Sequence, residues 1–221
     1  MTNSIRKHPS ALSADPELIA TLKQIPVALL SDQLQRNRGS TGLQPYHHPA
    51  PLAGTAVTVR TRAGDNLAIL RAFDICRPGD VLVVDADGDI ANALVGGIMT
   101  FYAASVGLAG MVLDGAIRDV AEIRERPFPV YARGVNHRGP YKDGPGAINV
   151  PVSVGGMAVR PGDIVVGDQD GLVVLSREEA PTVIEKALLQ KQKEEETMQA
   201  IRDGRWDRSF VDALEARSIN L

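Results

Sequence analysis

Between Ala93 and Glu122 the chain reads ALVGGIMTFYAASVGLAGMVLDGAIRDVAE, and three of its features bear on chemistry. Gly96-Gly97 stand before an apolar helical stretch. Two residues without Cβ leave backbone N–H groups open at a helix N-terminus, where the dipole favours an anion. A carboxylate could dock there on the amides of Gly96, Gly97, Ile98 and Met99. Arg118 offers a planar fork for a carboxylate or an enolate oxygen. Asp119 offers a hard oxygen ligand for Mg2+ or Mn2+, and Glu122, one turn on, could orient a water beside that cation. The bland alternative is that the glycines allow close helix packing and that Arg118-Asp119 form a surface pair and a cap.

Other chemistry-bearing residue types fall away on spacing. The acidic run Asp85-Ala86-Asp87-Gly88-Asp89 suggests a calcium loop, but the sixth and twelfth positions counted from Asp85 hold Ile90 and Gly96 instead of Gly and Glu. It reads as a solvated turn. His8, His47, His48 and His137 lack the paired helical spacing of a zinc site. Cys76 precedes a turn and reads as a packed thiol. The chain has no Gly-x-Ser-x-Gly elbow, no glycine fingerprint of dinucleotide folds and no P-loop lysine motif.

The elements that must position Arg118 and Asp119 are legible in outline. Asp15-Pro16 predicts a helix start, with the helix interrupted at Pro26 and resuming from Val27 to about Arg36. Leu52 to Thr61 is β-branched and partly alternating, so it predicts a strand. Asn66 to Ile75 reads as helix, Val81 to Val84 as a strand, and a further helix begins at Gly97. Gly110 to Asp114 is expected as a buried strand ending in a turn at Gly115, which places Arg118-Asp119 beyond a strand's carboxyl end, where ligands of open α/β sheets gather. Ile117 to Arg126 reads as helix, 128–135 as strand and 136–147 as loop. Strands are expected at 148–154, 164–167 and 172–175, and a charged helix at 177–202. Residues 77–88 echo 160–171, both reading turn, apolar run, acidic turn; shared turn chemistry accounts for it. The pattern indicates a mixed, layered α/β domain over 1–221, with a polar, frayed tail at 1–14 and a helix plus tail at 177–221.

Composition bounds the function. The formal net charge is −3, with no basic surplus to neutralise phosphates, so general nucleic-acid binding is not expected. One cysteine permits no intrachain disulfide, the N-terminus lacks a secretory apolar stretch, and no apolar run could span a bilayer. Cytoplasm, without membrane association, is the expectation.

The spacing from Gly97 to Arg118-Asp119 and then Glu122 resembles the pattern of class II 4-hydroxy-4-methyl-2-oxoglutarate aldolases, which also act as oxaloacetate decarboxylases. Their superfamily includes the regulators of ribonuclease E activity. The likeness extends through Leu52 to Val59, Gly64-Asp65-Asn66, Asn149 to Val152 and Val166 to Gly171, so it covers roughly 25 to 200. The resemblance implies a layered α/β/β fold like the swivelling phosphohistidine domain. It implies a divalent-metal-dependent lyase that releases pyruvate from a 4-hydroxy-2-oxo acid or decarboxylates oxaloacetate. Substrate would be held by the amides of the Gly96-Gly97-Ile98-Met99 segment and by Arg118, and Mg2+ or Mn2+ by Asp119. The assembly would be a homotrimer or homohexamer with the site between subunits. An acid from a neighbour's C-terminal region, for which Glu194, Glu195 and Glu196 are candidates, would complete it. The alternative is a non-catalytic regulator of an RNA-processing enzyme acting by protein–protein binding. Regulatory relatives commonly lack the metal-binding acid, and this chain keeps Asp119.

Overall fold

A computed structural model describes residues 4–36, 38–212 and 215. In chain order its elements are β1 (Ile5–Lys7), α1 (Pro16–Leu22), α2 (Val27–Gln33), β2 (Gln44–Pro45), β3 (Leu52–Thr61), α3 (Leu67–Ala72), β4 (Asp80–Asp85), β5 (Ala93–Val95), α4 (Gly97–Ser105), β6 (Gly110–Ile117), α5 (Val120–Arg124), β7 (Val130–Val135), β8 (Gly146–Ile148), β9 (Val152–Val154), β10 (Met157–Val159), β11 (Ile164–Asp168), β12 (Gly171–Leu175) and α6 (Ala180–Arg202).

The chain is a mixed α/β protein built on one large sheet. Among the described residues its main path runs β1-β8-β3-β4-β6-β7-β2, with β5 beside β6, and β11 joining β3 to β12. β3, β4, β6 and β7 run parallel to one another. Alternation along these strands sorts side chains to two faces. Val57, Val59, Leu82, Val84, Met111 and Leu113 pack on one face with buried residues of α3, α4 and α5. Ala56, Val81, Val83 and Val112 point the other way, into a core closed by the antiparallel pair β9–β10. The layers are therefore α, β and β. A third cluster packs α1, α2 and the first half of α6 on β11 and β12.

Several sequence expectations change. The tail is tied down: β1 pairs in parallel with β8, and His8 N–H donates to the Ile148 carbonyl at 3.1 Å. β5 was not foreseen; three residues are too few to show a period. β6 runs through Gly115 to Ile117 with no turn at Gly115. The glycine is there for packing, since a Cβ on it would lie 2.6 Å from Leu94 Cδ1 on β5. The helix expected over Ile117–Arg126 shrinks to α5, because Ile117 belongs to the sheet. The expected loop 136–147 ends in β8, and 148–154 divides between β8 and β9.

The internal echo is one turn built twice. Arg77 N–H donates to Asp80 Oδ2 and Arg160 N–H to Asp163 Oδ2, each at 2.8 Å, with Gly79 and Gly162 at φ 86° and 88°. Burial pushes both the Asp80 and the Asp163 carboxyl above the usual carboxylate range.

Candidate active site

β5 and β6 lie side by side in parallel, and both feed the site. β5 ends at Val95 and gives way to Gly96, the N-cap of α4. β6 ends at Ile117 and gives way to Arg118 and Asp119, the N-cap of α5. Arg118 N–H donates to the Val95 carbonyl at 3.0 Å, locking the two exits together. Asp119 adopts a left-handed conformation (φ 60°, ψ 37°), which aspartate tolerates better than most residues. In that pose its Oδ2 accepts from the Gly97 amide at 2.9 Å.

Side chains fill the space that the two glycines leave. A Cβ on Gly96 would collide with Asp119 Oδ2 and lie 2.9 Å from Arg118 Cγ; a Cβ on Gly97 would collide with Glu122 Oε2. Glu122 is gripped by Arg126, which also donates to the Gly97 carbonyl at 3.2 Å and lies over the Phe101 ring at 5.1 Å. The Gly97 amide is thus satisfied by a protein carboxylate and is not free for a substrate anion. The first-turn amides of Ile98 and Met99 have no partner among the described hydrogen bonds.

Gly96, Ile98, Met99, Arg118 and Asp119 line one cleft of about 240 Å³. Two further polar residues line it that sequence reasoning assigned no role: Asn66 and Lys142. Asn66 is 2% exposed, and its Nδ2 donates to the Leu94 carbonyl at 3.0 Å, leaving Oδ1 buried without a partner. Such an orphan acceptor is costly unless a ligand or water supplies a donor. Lys142 sits on a loop anchored by Asp65. That buried carboxylate accepts from the amides of Leu67, Asp143 and Gly144 and from Arg62. The Gly64-Asp65-Asn66 triplet carried the only sequence signal for this wall.

Other candidates lie elsewhere. Asp85 and Asp87 line a separate cleft with Asp114 and Arg133; Asp114 pairs with Arg133 and accepts from the Gly155 amide at 2.7 Å. His47 is buried, accepting from Val130 N–H at 3.1 Å. Burial pushes the Cys76 thiol up to about 12, which removes it as a nucleophile near neutral pH. Glu194, Glu195 and Glu196 lie on the exposed half of α6, and none lines the cleft of its own chain.

No three His, Cys, Asp or Glu side chains gather as a metal cage among the described residues. The donors present suit a hard cation that keeps most of its waters. Asp119 is half exposed at the cleft and Glu122 stands beside it at the Gly96-Gly97 backbone. Mg2+ characteristically takes one or two carboxylates and fills its shell with water and substrate oxygens. A zinc site of three or four protein ligands does not fit.

Fold and site together describe a layered α/β protein with a cationic, hard-oxygen cleft at parallel strand ends. The chain belongs to the RraA-like family (Aldolase/RraA), whose profile matches residues 27–174. The Halalkalibacterium halodurans protein named "Putative 4-hydroxy-4-methyl-2-oxoglutarate aldolase" is 39% identical over 192 residues, covering 86% of this chain and 91% of that one. Among solved structures, Streptomyces coelicolor RraAS2, described as an unusual member of the RNase ES inhibitor RraA protein family, superposes with a TM-score of 0.77. It is 30% identical, over 84% of this chain and 97% of that one. An uncharacterized Pseudomonas syringae protein superposes with a TM-score of 0.78 at 26% identity, over 88% and 96% of the two chains.

Proposed function

We propose that this chain is a divalent-metal-dependent carbon–carbon lyase, cleaving a 4-hydroxy-2-oxo acid to pyruvate by retro-aldol reaction and decarboxylating oxaloacetate. The observation that carries the reading is the convergence of Arg118, Asp119 and Glu122 on the Gly96-Gly97 backbone, where neither glycine has room for a Cβ. Asp119 would hold the cation, which when bound supplies Lewis-acid stabilisation of negative charge on the substrate's carbonyl oxygen. Arg118 grips the 2-oxo acid by its carboxylate and keto oxygens and stabilises the enolate as C3–C4 cleaves. Lys142 adds positive charge from the opposing loop. The orphan oxygen of Asn66 accepts from a hydroxyl or a water in the cleft. In the aldol case a base must take the C4 hydroxyl proton, and Glu122, paired with Arg126 beside Gly97, would orient a water for it. Decarboxylation needs no such proton, so one site serves both reactions.

The site would lie between copies of the chain in a homotrimer or homohexamer, with Glu194, Glu195 or Glu196 of a neighbour reaching it. A cytoplasmic location belongs to this reading, and the net charge of −3 leaves no basic surplus for nucleic-acid binding. No helix among the described residues is long and apolar enough to cross a membrane. The likeness to RraAS2 supports a second reading, a regulator that binds an RNA-processing enzyme through protein contacts.

Pyruvate release from oxaloacetate and from 4-hydroxy-4-methyl-2-oxoglutarate, with and without Mg2+ and corrected for the metal's own catalysis, separates the two. The expected result is Mg2+-dependent release that Asp119→Ala abolishes, together with loss of Mn2+ uptake measured by calorimetry in the presence of oxalate. Full turnover of Asp119→Ala in chelator would overturn the lyase reading.

A further inference from the structure

A second cleft adjoins the one that holds Arg118 and Asp119. Leu70, Ile98 and Met99 line both, and the second, of about 350 Å³, has Phe73, Asp74 and Tyr102 as its other walls. The side chains framing this second cleft are mostly apolar and open to solvent: Ile98 is 86% exposed, Tyr102 49% and Leu70 36%. Phe73 and Tyr102 meet edge to face with ring centres 5.1 Å apart, which gives the cleft an aromatic wall. Among the described residues no Lys, Arg or His lines it. The one charged residue among its described lining residues, Asp74, is already engaged by Lys7 at 3.1 Å and Arg71 at 3.7 Å.

We propose that this second cleft receives the distal part of the substrate, so that the chain acts on 4-hydroxy-2-oxo acids whose C4 carries an apolar alkyl or aryl group instead of a further carboxylate. The inference rests on the retro-aldol reading above and narrows its substrate class. Adjacency is the first argument: three shared residues make the apolar cleft the immediate neighbour of the one that holds Arg118 and Lys142. Charge is the second. A carboxylate brought into the second cleft loses water and meets no cation among the described lining residues, whereas an alkyl group gains by leaving water. In the reaction the C3–C4 bond breaks and its electron pair passes to the pyruvate enolate. The C4 hydroxyl proton goes to the base, C4 becomes the carbonyl of the departing aldehyde, and C3 takes up a proton to give pyruvate. The second cleft thus holds the departing aldehyde's apolar chain.

The test compares 4-hydroxy-2-oxoheptanoate with 4-hydroxy-2-oxoglutarate on the Mg2+-loaded full chain, reading kcat/KM by pyruvate release. Deuterium uptake into the methyl group of pyruvate in D2O reports enolisation alone, free of any distal group. The expected preference for the alkyl substrate is at least about tenfold, the scale that a methylene or two commands in an apolar pocket. Tyr102→Lys, and independently Asp74→Lys, should shift that ratio toward the dicarboxylate by about tenfold or more while deuterium uptake stays within about twofold. A wild-type preference for the dicarboxylate, or a ratio that neither variant moves, overturns the proposal and leaves the lyase reading standing. Smaller assemblies by light scattering together with lost deuterium uptake in both variants would show the cleft to be a face between copies, and also overturn it. Absence of deuterium uptake and of cleavage in the wild type sinks the retro-aldol reading, and this inference with it.

Discussion

Gly96 shows why a residue with ordinary backbone angles can still have to be glycine. Its backbone is extended (φ −147°, ψ −163°), a conformation open to any residue. What is missing is space, because Asp119 Oδ2 and Arg118 Cγ occupy the volume of a Cβ. Gly96→Ala should therefore fold, with the thermal midpoint shifted by only a few degrees, while the displaced carboxylate and guanidinium lose alignment. A shift of about 1 Å in reacting groups costs on the order of 100-fold in rate, and kcat/KM for pyruvate release should fall on that scale. An unchanged rate would show that neither side chain is held in place by this contact. At this scale the sequence was informative where residues are neighbours through β5 and β6, as with Gly96, Gly97, Arg118 and Asp119. It was silent where the chain returns from afar. Asn66 and Lys142 reach the cleft from separate segments, and an isolated Asn or Lys has no spacing to betray it. The expectation of a free amide at Gly97 missed that Asp119 would take it.

Among the elements, α2 depends on a residue far away in the chain. Its N-cap is Pro26, which has no polar side chain to cap with, and Asp168 from the end of β11 accepts from the Val27 amide at 2.8 Å instead. The other oxygen of Asp168 accepts from Asp170 N–H at 2.9 Å, closing the β11–β12 turn. Asp168→Ala should cost roughly 1–2 kcal/mol, the range for losing a helix cap, measured by urea denaturation, and Asp168→Asn should cost less. Equal stability of Asp168→Ala and the parent would count against the cap. Long β-branched runs such as β3 and β12 were legible because burial on one or both faces imposes a composition. β5 and the end of β6 were not, since Gly115 reads as a turn signal until Leu94 is seen packing against it.

For the whole molecule, acid is the informative stress. His47 Nδ1 accepts from Val130 N–H, its Nε2 stands 3.2 Å from the Ala50 carbonyl, and burial holds its pKa below the usual histidine value. The unfolded chain then binds the proton more readily than the folded one. Stability from this group is complete above about pH 6.5 and declines as pH falls below it toward the depressed folded value. Urea unfolding between about pH 7.5 and about pH 5 should show this loss, and His47→Gln should flatten it. An identical slope in the variant would remove His47 as the cause. The layered α/β class was legible from the alternation of element types, but the order of strands was not. The placement of β8 and β11 one after the other along the same edge of β3, opposite β4, depends on contacts between distant segments, which no local pattern encodes.

Asp65 ties the stretch that carries Lys142 to the body chiefly through main-chain amides, those of Asp143 and Gly144, and not through side chains. An attachment of that kind is indifferent to which residues occupy the neighbouring positions. Pro140, Tyr141 and Lys142 can therefore be exchanged while the strap keeps its mooring, and this wall is where new substrate preferences could be written at little risk to folding.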